Sequence, residues 1–137
     1  MTLQVGFILL PGFSLLSLGA ATATLAAANE LTGEASYRMR MLAIAGAVAR
    51  AQCGTLIAAE PVDEVLSECQ VAMVIADQAL DEPGLVRLKT SLQRFVGRAE
   101  PSPTLAGIGI GAAVLAQCGF YDGCRAAVHW QHVAEAA

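Results

Sequence analysis

Thr104-Leu105-Ala106-Gly107-Ile108-Gly109-Ile110-Gly111-Ala112-Ala113-Val114-Leu115-Ala116 is the stretch on which the fold is decided. It reads as a short apolar strand, a glycine turn and then a helix. That is the geometry of a nucleophile elbow, where a Ser or Cys sits on a strained turn at a helix N-terminus. Here the tight position is Gly109, which carries no reactive atom. The N–H groups of Gly109, Ile110 and Gly111 would still form a donor nest suited to a carboxylate or phosphate. The same glycines also serve a tight turn with no ligand at all. A scaffold of this kind without its nucleophile points to binding rather than reaction, and the missing side chain is expected to leave a void that a small carboxylate can fill.

Working outward, the segments around the elbow alternate between buried strands and helices. Residues 3–10 form a nearly continuous apolar run, as in a parallel strand covered on both faces. Pro11-Gly12 ends the run, and a helix follows from Phe13 or Ser14 to about Glu30. Residues 37–43 alternate cleanly and read as a strand with one polar face. Residues 48–51 and 55–58 flank Cys53-Gly54 as a small hairpin, and residues 61–69 read as a polar connection with room for one helical turn. Residues 71–76 form a second buried strand. Asp81-Glu82-Pro83 opens a helix whose apolar face is Leu85, Leu88, Leu92, Phe95 and Val96. A last short strand is expected at residues 125–128. This order predicts a single α/β domain, a three-layer sandwich with a mostly parallel sheet and helices on both faces. Residues 5–10, 71–76 and 104–108 should lie side by side in it.

Composition bounds what such a domain can do. The chain has 137 residues, 55% hydrophobic but only 5% aromatic, so its core is built from Leu, Val, Ile and Ala. Eight Lys and Arg face twelve Asp and Glu, for a net charge of −4, and no basic run offers a footprint for nucleic acid. Cys53, Cys69, Cys118 and Cys124 have neither zinc spacing nor a secretory context, so free thiols, no metal and no cofactor are expected. The apolar N-terminus has no Lys or Arg before Arg38, and Pro11-Gly12 interrupts it, which argues against a signal peptide or membrane span and for a cytoplasmic protein.

Two blocks carry a family resemblance. Val5-Gly6-Phe7-Ile8-Leu9-Leu10-Pro11-Gly12-Phe13-Ser14-Leu15-Leu16 and the later Ala27-Ala28-Asn29 form the first. Residues 107–116, Gly119-Phe120-Tyr121-Asp122-Gly123 and His129-Trp130 form the second and more specific one. Together they resemble the ThiJ/PfpI domain, of class I glutamine amidotransferase type, found in GlxA-type AraC-family transcriptional regulators. The resemblance implies a flavodoxin-like sandwich and a ligand-sensing and dimerising domain whose regulators touch DNA through a separate helix-turn-helix segment, absent from residues 1–137. It also implies one further strand and helix beyond the sequence given. The family's enzymes place a Cys where Gly109 stands and an acidic residue where Ser17 stands. They often follow the third strand with a Gly-Gly turn where this chain has Ala76-Asp77-Gln78. Covalent chemistry needs the nucleophile outright, so a non-catalytic domain is expected. The alternative is an amidase-, protease- or glyoxalase-like enzyme, or a chaperone-like protein, working with other groups.

The candidate ligand-binding residues are Ser17, Gly109, Ile110, Gly111, His129 and Trp130. The expected partners are a small anionic or zwitterionic metabolite and a second copy of the chain, with no membrane. His129, twenty positions after Gly109, is either a hydrogen-bonding wall of the pocket or a helix cap; the resemblance places it against the elbow. Trp130, the only Trp, is either a pocket wall or core filling. Arg38 and Arg40 share a strand face and read as a solvated edge. Asp77 and Asp81, near strand ends, either line the crevice or, on the better reading, are ordinary polar loop residues.

Overall fold

Residues 2–98 and 103–120 are described by a computed structural model. Strands β1 (Leu3–Leu9), β2 (Tyr37–Ala43), β5 (Glu60–Pro61), β6 (Val71–Ala76) and β7 (Thr104–Gly109) form one sheet in the order β5-β2-β1-β6-β7. Every adjacent pair is parallel. The three buried runs are therefore neighbours, as their sequence predicts. Strands β3 (Val48–Arg50) and β4 (Leu56–Ala58) pair as the expected antiparallel hairpin.

Alternation along the central strands builds two cores. Ile8 of β1 and Ala72 and Val74 of β6 point to one face, against helix α2 (Val62–Val65), helix α3 (Glu82–Gly97) and helix α4 (Gly111–Gln117). Val5, Phe7 and Leu9 of β1 and Ile75 of β6 point to the other, against Leu18 of helix α1 (Leu15–Thr32) and the hairpin. Helices thus cover both faces, giving the expected three layers. The period-2 pattern is invisible in the sequence because both faces are apolar.

The helix ends follow local chemistry. The Ser14 side chain accepts from Ser17 N–H at 3.3 Å to cap α1, and Gly33 closes it at φ +69°. Asp81 caps α3 by accepting from Gly84 N–H at 2.8 Å, with Pro83 in the first turn. α1 is apolar around its circumference, and Leu16 and Leu31 are 83% and 88% exposed. Among the described residues no helix is long and apolar enough to cross a membrane.

Three expectations need correction. The stretch at 61–69 is no polar connection: Val62, Val65, Leu66 and Cys69 are buried, because α2 and the 3-10 turn Leu66–Glu68 close the end of the core. Val96 is 39% exposed, since the α3 stripe runs through Gly84, Leu88, Ser91, Leu92 and Phe95 instead.

The third concerns Arg40, which is not solvated: its side chain is only 14% exposed. Its Nε and Nη2 donate to both carboxylate oxygens of Glu60 at 2.8 and 2.9 Å, and Nη1 reaches Gln4 Oε1 at 3.0 Å and Glu68 at 3.3 Å. The fork joins β2, β1 and β5 across the sheet edge. Hydrogen bonding to Glu60 raises the guanidinium pKa against its partial desolvation, and hydrogen bonding to Arg40 lowers that of Glu60. Arg40 stays charged throughout the accessible range, so Glu60 sets the pH dependence. A carboxylate with a depressed folded pKa stabilises fully above its unfolded pKa and loses that contribution as pH falls through the folded one. Glu60→Gln should lower the thermal midpoint at neutral pH, and the gap to wild type should close as pH falls below about 4. Melting curves across this window check it; a constant gap would show that Glu60 ionisation is irrelevant.

Candidate functional site

The carboxyl ends of β1, β6 and β7 meet at the elbow. Gly109 has φ +68°, and Ile110 links it to α4. The Ala76 carbonyl oxygen accepts from Ile110 N–H at 2.7 Å. It also lies inside the contact distance of any Cβ placed on Gly109, and that Cβ would stand 3.0 Å from Asp77 Oδ1. Gly111 is equally close to the Val74 carbonyl, and Gly107 to the backbone of Gly111 and Ala112. The void expected at Gly109 is therefore filled by the end of β6. The expected donor nest is also reduced, because Ile110 N–H is already bonded.

Asp77 holds this corner together. Its Oδ2 accepts from Ser14 N–H at 2.7 Å at the start of α1, while Oδ1 faces the elbow. Beside it Gln78 packs over Gly12, which is free to take φ +83° and whose N–H donates to the Arg50 carbonyl at 2.9 Å. The crevice where β1 gives way to β6, the usual ligand position in such sheets, is thus occupied by the chain's own polar groups. A carboxylate beside Gly109 also opposes a bound anion or a developing oxyanion. Ser17 is half-buried in the first turn of α1, and among the described residues its hydroxyl makes no hydrogen bond. His129, Trp130, Cys124 and the strand expected at 125–128 lie outside the described residues.

The space lies elsewhere, at the carboxyl ends of β1 and β2. One cavity of about 460 Å³ is bounded by Ile44, Ala45 and Gly46 after β2, by Val62 and Asp63 of α2, and by Arg87, Ser91 and Arg94 of α3. A second, of about 420 Å³, shares Ile44, Ala45 and Arg87 and reaches Pro11 and Arg50. Sequence reading missed this groove, because α3 was judged by its apolar face alone. Its signal is the i, i+4, i+7 spacing of Arg87, Ser91 and Arg94.

The thiols differ from one another. Cys69 and Cys118 are buried, and burial raises the pKa of both. Cys53 is exposed at the hairpin tip with its Sγ 3.3 Å from Thr55 Oγ1, a hydrogen bond that lowers its pKa. No group of His, Cys, Asp and Glu able to hold a metal occurs among the described residues.

No protein-family model matches the chain. In sequence it is similar to the HTH-type transcriptional regulator GlxA of Rhizobium meliloti, 29% identical over 130 residues, covering 94% of this chain and 39% of the regulator. It is 32% identical over 131 residues to the HTH-type transcriptional regulator CdhR of Pseudomonas aeruginosa, covering 93% and 37%. In structure it is similar to an AraC family transcriptional regulator from Pseudomonas putida (TM-score 0.78, 26% identity, 98% of this chain and 70% of that one). A ThiJ/PfpI domain protein from Brachyspira murdochii shares the fold alone (TM-score 0.67, 12% identity, 98% and 75%). The fold is thus of the ThiJ/PfpI class. The chain's sequence relatives are HTH-type transcriptional regulators, and one structural neighbour is an AraC family transcriptional regulator. The chain spans less than two-fifths of the length of these curated relatives.

Two outcomes follow from the geometry. Gly109→Ala forces a Cβ onto a positive φ and against the Ala76 carbonyl, and should cost about 1–3 kcal/mol in urea unfolding; an unchanged midpoint would mean that β6 yields freely. Among Cys53, Cys69 and Cys118, iodoacetamide should alkylate Cys53 on the order of a hundredfold faster in the native state, since exposed thiolate is the reacting species. Peptide mass mapping reads the order, and faster labelling of either buried thiol would show that the core opens.

Proposed function

We infer that this chain is a non-catalytic sensory domain of an AraC-type regulator, binding a small anionic or zwitterionic metabolite and pairing with a second copy in the cytoplasm. One observation carries the reading: the elbow has glycine at its reactive position and a carboxylate packed against it, in a chain whose homologues are transcriptional regulators. Without a nucleophile there, acyl or thiohemiacetal chemistry has no first step. The scaffold's remaining use is to present a ligand cavity at the carboxyl end of a parallel sheet. DNA contact belongs to a segment outside residues 1–137, because the acidic net charge leaves little counterion release to drive binding.

The test is a thermal-shift screen of the purified chain against small carboxylates and amino acids, followed by NMR of each mixture after incubation. At least one compound should raise the melting temperature and be recovered unchanged. Turnover of the stabilising compound would favour the enzymatic reading and overturn this one. The chain alone should give no salt-dependent mobility shift of duplex DNA at micromolar concentration, and a shift would contradict the assignment of DNA binding to another segment.

A further inference from the structure

We propose that the groove between α3 and the end of β2 is an organic-carboxylate site, with Arg87 and Arg94 engaging the anion and Ser91 as a third donor. It rests on the sensory reading above and relocates the ligand from the elbow to this groove.

Arg87, Ser91 and Arg94 lie at i, i+4 and i+7 on α3, so all three face one side of the helix. All three line the 460 Å³ cavity, a volume in the range of small-molecule sites. Among the described residues neither arginine is in an ion pair or hydrogen bond, whereas Arg40 is saturated by Glu60, Glu68 and Gln4. Asp63 is the one acidic side chain lining the cavity, so two guanidiniums face one carboxylate. The floor, with Ile44 and Val62, suits an apolar body behind an anionic head.

Ser91 is the independent observation. It is 7% exposed, the only polar residue buried to that degree among the described residues. Its hydroxyl makes no hydrogen bond there, although the adjacent Thr90 bonds back to the Val86 carbonyl at 2.9 Å. It also lines the smaller cavity beneath, about 160 Å³. The residue stands between the two arginines along the lining of the groove, and its hydroxyl has no partner among the described residues to give up before donating to a bound anion. Across the groove, the N–H groups of Ala45 and Gly46 have no acceptor among the described residues. Planar guanidiniums bind carboxylates in two-pronged fashion, which gives orientation as well as affinity.

Calorimetry with sodium glutarate and sodium benzoate, and with uncharged glutaramide and inorganic phosphate as comparisons, tests this on the whole chain. At least one carboxylate should bind and glutaramide should not. The double change Arg87→Gln, Arg94→Gln should weaken carboxylate binding by about tenfold or more, while Arg38→Gln, at the opposite end of β2 from the groove, leaves it within about twofold. Ser91→Ala should weaken it several-fold yet leave the ligand-free melting temperature unchanged or higher, which a purely structural serine would not do. The proposal is overturned if neither carboxylate binds at roughly 10 mM, or if the double variant binds within about threefold of wild type. Arginine-dependent binding of phosphate in place of the carboxylates would also overturn it. Binding of an unconsumed ligand that ignores Arg87 and Arg94 sinks this site and leaves the sensory reading standing. Arginine-dependent binding followed by turnover does the reverse.

Discussion

One carboxylate organises the carboxyl end of this sheet. Asp77 leaves β6, accepts the N–H that begins α1, and presses its other oxygen toward the elbow. Three segments far apart in sequence are fixed by it: the turn after β1, the end of β6, and the turn into α4. With the Ala76 carbonyl bonded to Ile110, the corner is self-satisfied. It needs no ligand to complete its hydrogen bonding, and its charge discourages an anionic one.

That closure explains why the open volume lies one strand over. The hairpin and the bend at residues 44–47 hold the ends of β1 and β2 apart from α3, and the groove runs between them. A glycine elbow and a displaced cavity are two aspects of one change. Once no side chain reacts at the elbow, the neighbouring strand end is free to pack there. The similarity to HTH-type regulators runs across nearly the whole of residues 1–137.

Most of the fold was legible because its signals are local. Continuous apolar runs at 3–10 and 71–76 can only be strands covered on both faces, and Ser14, Gly33 and Asp81 mark helix ends by their capping chemistry. The site was less legible because it depends on approach distances. That β6 fills the space over Gly109 follows from the register Ala76↔Gly109, which no single segment encodes. Asp77 looked like a loop residue until Ser14 was placed beside it. Arg40 looked solvated until Glu60, just before the connection read as polar, and Glu68, within it, were placed beside it.

The sheet order also bears on how the chain is made. β1 is the earliest of the described strands in the sequence, yet it occupies the centre of the sheet. Its neighbours are β2, beginning at Tyr37, and β6, beginning at Val71, and neither contact is local. Parallel strands cannot pair until the intervening crossover exists, and closing such long loops is slow. An apolar strand and an almost uncharged helix are therefore synthesised well before anything covers them. Until β6 has been made, that apolar surface has no partner strand on one side, the kind of transient exposure that favours aggregation over folding.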